Sequence, residues 1–152
     1  MTDDTAAFDR AALVPELLVS DLAASLAFWC GLCGFAIAYA RPEDAFAYLS
    51  REGAELMLEQ RGEGRQWVTG PLETPFGRGI NFQIAVSATA PILAALAAAG
   101  WPLHMAPEDK WYRRSADEVG VRQFLVQDPD GYLIRFSEGL GTRPLGTLPP
   151  SA

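Results

Sequence analysis

VPELLVSDLAASLAFWCGLCGF, Val14 to Phe35, and NFQIAVSATAPILAALAAAGW, Asn81 to Trp101, are two copies of one pattern. In each, a β-favouring run ends in Val-Ser (Val19-Ser20, Val86-Ser87). A helix start signal follows, then an apolar helix, then glycine and an aromatic (Gly34-Phe35, Gly100-Trp101). Leu26 matches Leu93 and Trp29 matches Leu96 at the same offset. Self-similarity at fixed spacing marks a repeated supersecondary unit, here in two copies.

Working outward, Val14 to Val19 reads as a strand, and Asp21 caps a helix whose buried stripe is Leu22, Leu26, Trp29 and Cys33. Gly34 supplies the left-handed stop. Residues 35–40, 45–50 and 54–60 read as three further strands, separated by turns at Arg41–Asp44 and Arg51–Gly53. The order is β-α-β-β-β. The second unit repeats it with longer loops: a strand from Gly79 to Val86, a helix around Pro91 to Ala99 capped by Thr89, and strands near 103–105, 121–127 and 132–137. Pro107-Glu108-Asp109 matches the post-helix turn Pro42-Glu43-Asp44, and EDKWYRRSADE (108–118) reads as a polar loop. Asp128-Pro129-Asp130-Gly131 is a hairpin signal. The fold class expected is α+β, with a single domain over residues 13–140 made of modules 13–60 and 79–138. Loop 61–78 joins them, a connector long enough to serve a function or to cross to a partner. Residues 1–12 and 141–152 are expected to be flexible termini.

Composition bounds the function. In a chain of 152 residues, 49% apolar and 20% charged residues fit one globular domain with a core. The net charge of −7 disfavours nucleic acid, which demands a basic footprint. No apolar run reaches membrane-spanning length, and the acidic start MTDDTAAFDR is unlike a signal peptide, so a cytoplasmic location is expected.

The duplicated βαβββ unit, with QDPDGYLIRF closing its second copy, resembles the vicinal-oxygen-chelate superfamily, which holds glyoxalase I, fosfomycin-resistance transferases, extradiol dioxygenases and bleomycin-resistance proteins. Within it, AELMLEQ, GRGINFQI and RQFLVQDPDGYLIRF are most similar to bleomycin-resistance-like members. The resemblance implies that each module curls into a cup-shaped mixed sheet, that two cups enclose a cleft, and that the protein is a homodimer. It also implies four metal positions, which fall here on Val14, Met57, Asn81 and Arg135. Divalent ions want several imidazole or carboxylate donors at once. Valine offers no lone pair, a thioether is a poor ligand for such ions, and arginine repels them. No metal, no cofactor and no catalytic residue is therefore expected.

Cys30 and Cys33 form a C-x-x-C at the end of the first helix, where the dipole disfavours a thiolate, and they read as packed apolar residues. His104 lies outside the four positions. Phe46 and Tyr48 share one face of their strand, and Phe46 best matches a groove aromatic of bleomycin-binding relatives. Trp67, Trp111 and Tyr112 sit in polar segments with no evident core to enter, which points to a ligand cleft or a subunit interface. Glu16, Glu59, Glu108 and Asp109 supply acidic edges, and Arg135 is expected to pair with Glu16, Glu59 or an anionic ligand group. The ligand-binding set expected is Glu16, Phe46, Tyr48, Glu59 and Trp67 from the first half, with Asn81, Trp111, Tyr112 and Arg135 from the second. The function expected is sequestration of a cationic glycopeptide antibiotic such as bleomycin, or of a similar aromatic ligand. The alternatives are a metal-dependent lyase, isomerase or dioxygenase with a displaced metal site, and a binding module for another metabolite.

Overall fold

A computed structural model describes residues 10–62 and 67–146. The flexibility expected of 1–9 and 147–152 lies outside those residues. The first module contains β1 (Glu16–Val19), α1 (Leu22–Leu26), a π-helical continuation (Ala27–Leu32), β2 (Ala36–Arg41), β3 (Phe46–Arg51) and β4 (Ala54–Gln60). The second contains β5 (Asn81–Ala85), α2 (Ala90–Ala98), β6 (Met105–Arg114), β7 (Asp117–Gln127) and β8 (Leu133–Pro144). Each module forms a four-stranded mixed sheet, in the orders β1-β4-β3-β2 and β5-β8-β7-β6. In each, the strand before the helix pairs in parallel with the last strand, and the other pairs are antiparallel. This is the duplicated βαβββ architecture, in the α+β class.

Period-two alternation sends Leu17, Val19, Ala47, Leu49, Leu56 and Leu58 of the first sheet into one core. Ile84, Val86, Phe124, Val126, Ile134 and Phe136 of the second sheet join the same core, as do helix residues from both modules. Each large apolar side chain buried there stabilises the fold by roughly 1.5–3 kcal/mol.

The first helix departs from a regular one. Asp21 caps it by accepting from Ala24 N at 3.3 Å. The α-helix then gives way after Leu26 to a wider turn, in which Cys33 N donates to Phe28 O at 2.9 Å. That i→i−5 bond holds one extra residue per turn and shifts the following side chains around the axis. Phe28 and Trp29, adjacent in sequence, are both buried, and their rings meet edge to face at 5.6 Å. Gly34 closes the helix at φ +73°. Thr89 does not cap α2 with its side chain; its N–H instead donates to Glu138 Oε1 at 2.9 Å.

The β7–β8 hairpin joins the modules. Asp128, buried at 3% exposure, accepts from Asp130 N and Tyr132 N through one carboxylate oxygen and from Trp29 Nε1 through the other. Asp130 Oδ2 accepts from Ser20 N at 3.0 Å, and the Tyr132 hydroxyl donates to Leu18 O at 2.9 Å. The connector is tied to the same place, because Phe76 N donates to Asp130 O at 2.8 Å.

Two expectations are corrected. Segment 108–118 is no loop: β6 runs through Arg114, and Asp117 and Glu118 already belong to β7. Its residues are almost all exposed, so no apolar alternation marked the strand in the sequence. Residues 141–144, expected in a flexible tail, complete β8 and pair with Asp117–Gly120.

Candidate functional site

Strand register assembles two rows on the face of the first sheet that points away from the core. One row is Glu16, Met57, Tyr48 and Tyr39. The next is Leu18, Glu59, Phe46 and Arg41. Tyr39 stacks on Tyr48 with centroids 5.1 Å apart and planes at 18°, and lies 5.9 Å from Phe46. The Arg41 guanidinium sits 3.9 Å from the Phe46 ring centroid while its Nε donates to Asp44 at 3.1 Å. Phe46 and Tyr48 are consequently only 3% and 2% exposed, whereas Tyr39 is 38% exposed. The expected aromatics are present, but the solvent-facing part of this surface is made by Tyr39 and Arg41. Sequence reasoning missed both. The signal was the spacing of Tyr39 and Arg41, which puts one aromatic and one cation on the same face of β2.

Glu16 and Glu59 occupy neighbouring rows of this face. Burial, and next the hydrogen-bonded Glu16 carboxyl, push the Glu59 carboxyl above its ordinary value. Two carboxyls that close resist double ionisation, and a cation between them would relieve the repulsion.

The corresponding face of the second sheet carries Gln83, Arg135 and Leu125 in one row and Ala85, Ser137, Gln123 and Glu108 in the next. A cavity of about 320 Å³ opens over Gln83, Arg135, Ser137 and Gln123, lined also by Tyr112, Val119 and Val121. Gln123 Nε2 donates to the Tyr112 hydroxyl at 2.6 Å and to Glu108 Oε1 at 3.1 Å. Of the partners expected for Arg135, neither Glu16 nor Glu59 pairs with it; its Nε is buried and makes no hydrogen bond among the described residues.

The remaining expected residues scatter. Trp111 lies on the opposite side of β6 from Tyr112, since successive side chains alternate. It packs against Gly120, where an added Cβ would come within 2.7 Å of the indole, and under Arg143 at 4.2 Å. Trp67 is 80% exposed in the connector. Asn81 opens β5 and lines a different, mainly apolar cavity of about 480 Å³ between the edge strands β1 and β5, beside Leu17, Leu56 and Ile84. Cys30 and Cys33 are free thiols, and burial pushes Cys33 up to about 12, so it stays protonated and unreactive at neutral pH.

The four positions that the resemblance assigns to a metal carry Val14, Met57, Asn81 and Arg135. Among the described residues, no group of three or more His, Cys, Asp or Glu side chains converges on one point. The Glu16–Glu59 pair alone falls short of the several ligands that a divalent ion takes. These residues do not fit a metal.

The two duplicated four-stranded sheets define a vicinal-oxygen-chelate architecture. The model of the Glyoxalase/Bleomycin resistance protein/Dioxygenase superfamily matches residues 8–136, and the chain belongs to that superfamily. A superfamily member from Vibrio splendidus 12B01 is 35% identical over 82% of this chain and 95% of its own, at a TM-score of 0.38. TioX from Micromonospora sp. ML1 shares the fold at 23% identity and a TM-score of 0.65, covering 86% of this chain and 99% of its own. The fosfomycin resistance protein FosX of Listeria monocytogenes shares it at 16% identity and a TM-score of 0.56, covering 85% and 91%. No curated protein matches the chain.

Proposed function

We propose that the chain is a metal-independent binding protein that sequesters an aromatic, positively charged small molecule of the bleomycin type. The open face of the first sheet is the capture surface. The observation that carries this reading is the ladder of Tyr39, Tyr48 and Phe46 with a guanidinium already seated on Phe46. Arg41 occupies the place a ligand cation would take, and it acts as an internal stand-in for one. Stacking on such a ring contributes about 0.5–1.5 kcal/mol, and a cation over it about 0.5–2 kcal/mol. Glu16 and Glu59 supply the opposite charge on the same rows.

Sequestration needs no nucleophile, base or ion, which agrees with valine, methionine, asparagine and arginine at the metal positions. A drug-handling role also has a precedent in the superfamily, since FosX is a fosfomycin resistance protein. A second copy of the chain, opposing its own open face to this one, would complete the groove.

Titration with metal-free bleomycin and phleomycin, followed by tryptophan fluorescence, tests the reading. Saturable quenching is expected at one or two molecules per dimer. The Tyr39→Ala variant is expected to bind roughly tenfold more weakly, the loss of one stacked ring. No binding of either drug at high micromolar concentration rejects the drug assignment, and full affinity in Tyr39→Ala rejects the face.

A further inference from the structure

We infer that the open face of the second sheet is a carboxylate-binding subsite centred on Arg135. The inference deepens the proposed ligand-binding reading, because it adds an anionic group to the ligand class. Among the described residues, Arg41 pairs with Asp44, Arg51 with Glu52, Arg114 with Asp117, Arg122 with Asp109 and Arg143 with Glu118; Arg10, Arg61, Arg78, Arg113 and Arg135 have no ion pair, and of these five Arg135 alone has a buried guanidinium nitrogen without a hydrogen bond. Arg135 has no such carboxylate, although its Nε is shielded from solvent. A guanidinium N–H removed from water without an acceptor carries an uncompensated desolvation cost. A ligand that provides the acceptor would remove that cost.

The surroundings fit that role. Arg135 lines a cavity of about 320 Å³ together with Gln83, Ser137, Gln123 and Tyr112, all neutral polar side chains. The volume matches the lower range of small-molecule sites. Gln123 is already committed through its amide nitrogen to Glu108 and Tyr112. Gln83 and Ser137 line the same cavity and supply further hydrogen-bond donors. The parallel pairing of β5 with β8 aligns Gln83 directly with Arg135. A planar carboxylate takes two parallel N–H bonds from the guanidinium fork, a geometry that a lysine cannot reproduce. The protein therefore offers an acidic, aromatic face on one sheet and a carboxylate receptor on the other, and the preferred ligand is zwitterionic.

Benzoate is the probe, with isosteric neutral benzamide as its control. In spectra of nitrogen-15-labelled protein, benzoate should shift the Arg135 Nε–H resonance saturably, and benzamide should not. Arg135→Gln should weaken benzoate binding at least tenfold, and Arg135→Lys should restore it only in part. An unmoved Arg135 resonance in the wild-type protein overturns the inference, whether or not the variants fold. So does equal affinity for benzoate and benzamide. So does a weaker self-association of Arg135→Gln without benzoate binding by wild type, which would make Arg135 a partner for a second copy's carboxylate. Phenethylammonium, an aromatic cation, reports on the first sheet separately. If it binds and benzoate does not, this inference fails while the proposed function stands. If benzoate binds and phenethylammonium does not, the carboxylate subsite stands and the cation-binding reading fails.

Discussion

Gly131 and Asp128 show how much one residue can carry. Gly131 has φ +96°, and a Cβ there would lie 2.4 Å from Pro75 Cβ and 2.6 Å from Pro75 Cα. Gly131→Ala therefore strains the turn and pushes the connector off the hairpin at once, and should cost about 2 kcal/mol or more in urea unfolding. Asp128 is held by three N–H donors, which favour its charged form, yet burial dominates and pushes the carboxyl from 3.8 up to about 6. Asp130, the Cys33 thiol and the Tyr132 hydroxyl are the titratable groups facing it. Between those two pH values the folded chain keeps a proton that the unfolded chain has lost. Stability from this group is thus complete below about pH 4, declines as pH rises through the folded value, and is flat above it. Asp128→Asn has no such dependence. The stability advantage of wild type over Asp128→Asn should shrink between pH 4 and pH 7 in thermal melts, and an advantage that grows over that range would contradict the burial argument. The hairpin was legible from Asp-Pro-Asp-Gly, because turn chemistry is local. That its first aspartate lies under Trp29 was not, because that contact joins residues from different modules.

At the scale of elements, the sequence revealed those whose apolar residues recur at a structural period. β1, β3, β4, β5 and β8 alternate, and both helices carry stripes that end in glycine and an aromatic. β6 escaped because both of its faces are polar and exposed, so its strand character comes from pairing with β7 along its length. The same gap misplaced Trp111, grouped with Tyr112 by adjacency in sequence but set on the opposite face by the strand. Its place depends on Gly120, the residue opposite it in the register. Gly120→Val should lever the indole outward and shift tryptophan emission to longer wavelength, with binding at the first sheet unchanged. A mutant with unaltered emission would mean that Trp111 does not rest on that glycine. The π-helical turn was illegible for a different reason. Its sequence, Ala27 to Leu32, suits an ordinary helix, and the choice is made by packing Phe28 and Trp29 into the shared core.

For the whole molecule, duplication was legible and division of labour was not. Internal similarity predicted two equal sheets, and two four-stranded sheets of matching order are found. Their open faces have nevertheless diverged: Glu16, Glu59 and stacked aromatics on one, Arg135 with Gln83, Ser137 and a Gln123 bonded to Glu108 on the other. Sequence pattern placed most of these residues individually, but only register showed which stand side by side. The positions that the resemblance assigns to a metal carry valine, methionine, asparagine and arginine, and on that set rests the proposal that this protein holds its ligand with side chains alone. Calorimetric titration with metal-free bleomycin, before and after dialysis of the protein against EDTA, tests the claim most directly. Equal affinity in the two titrations is predicted. Binding that disappears on dialysis and returns on adding a divalent ion would contradict it.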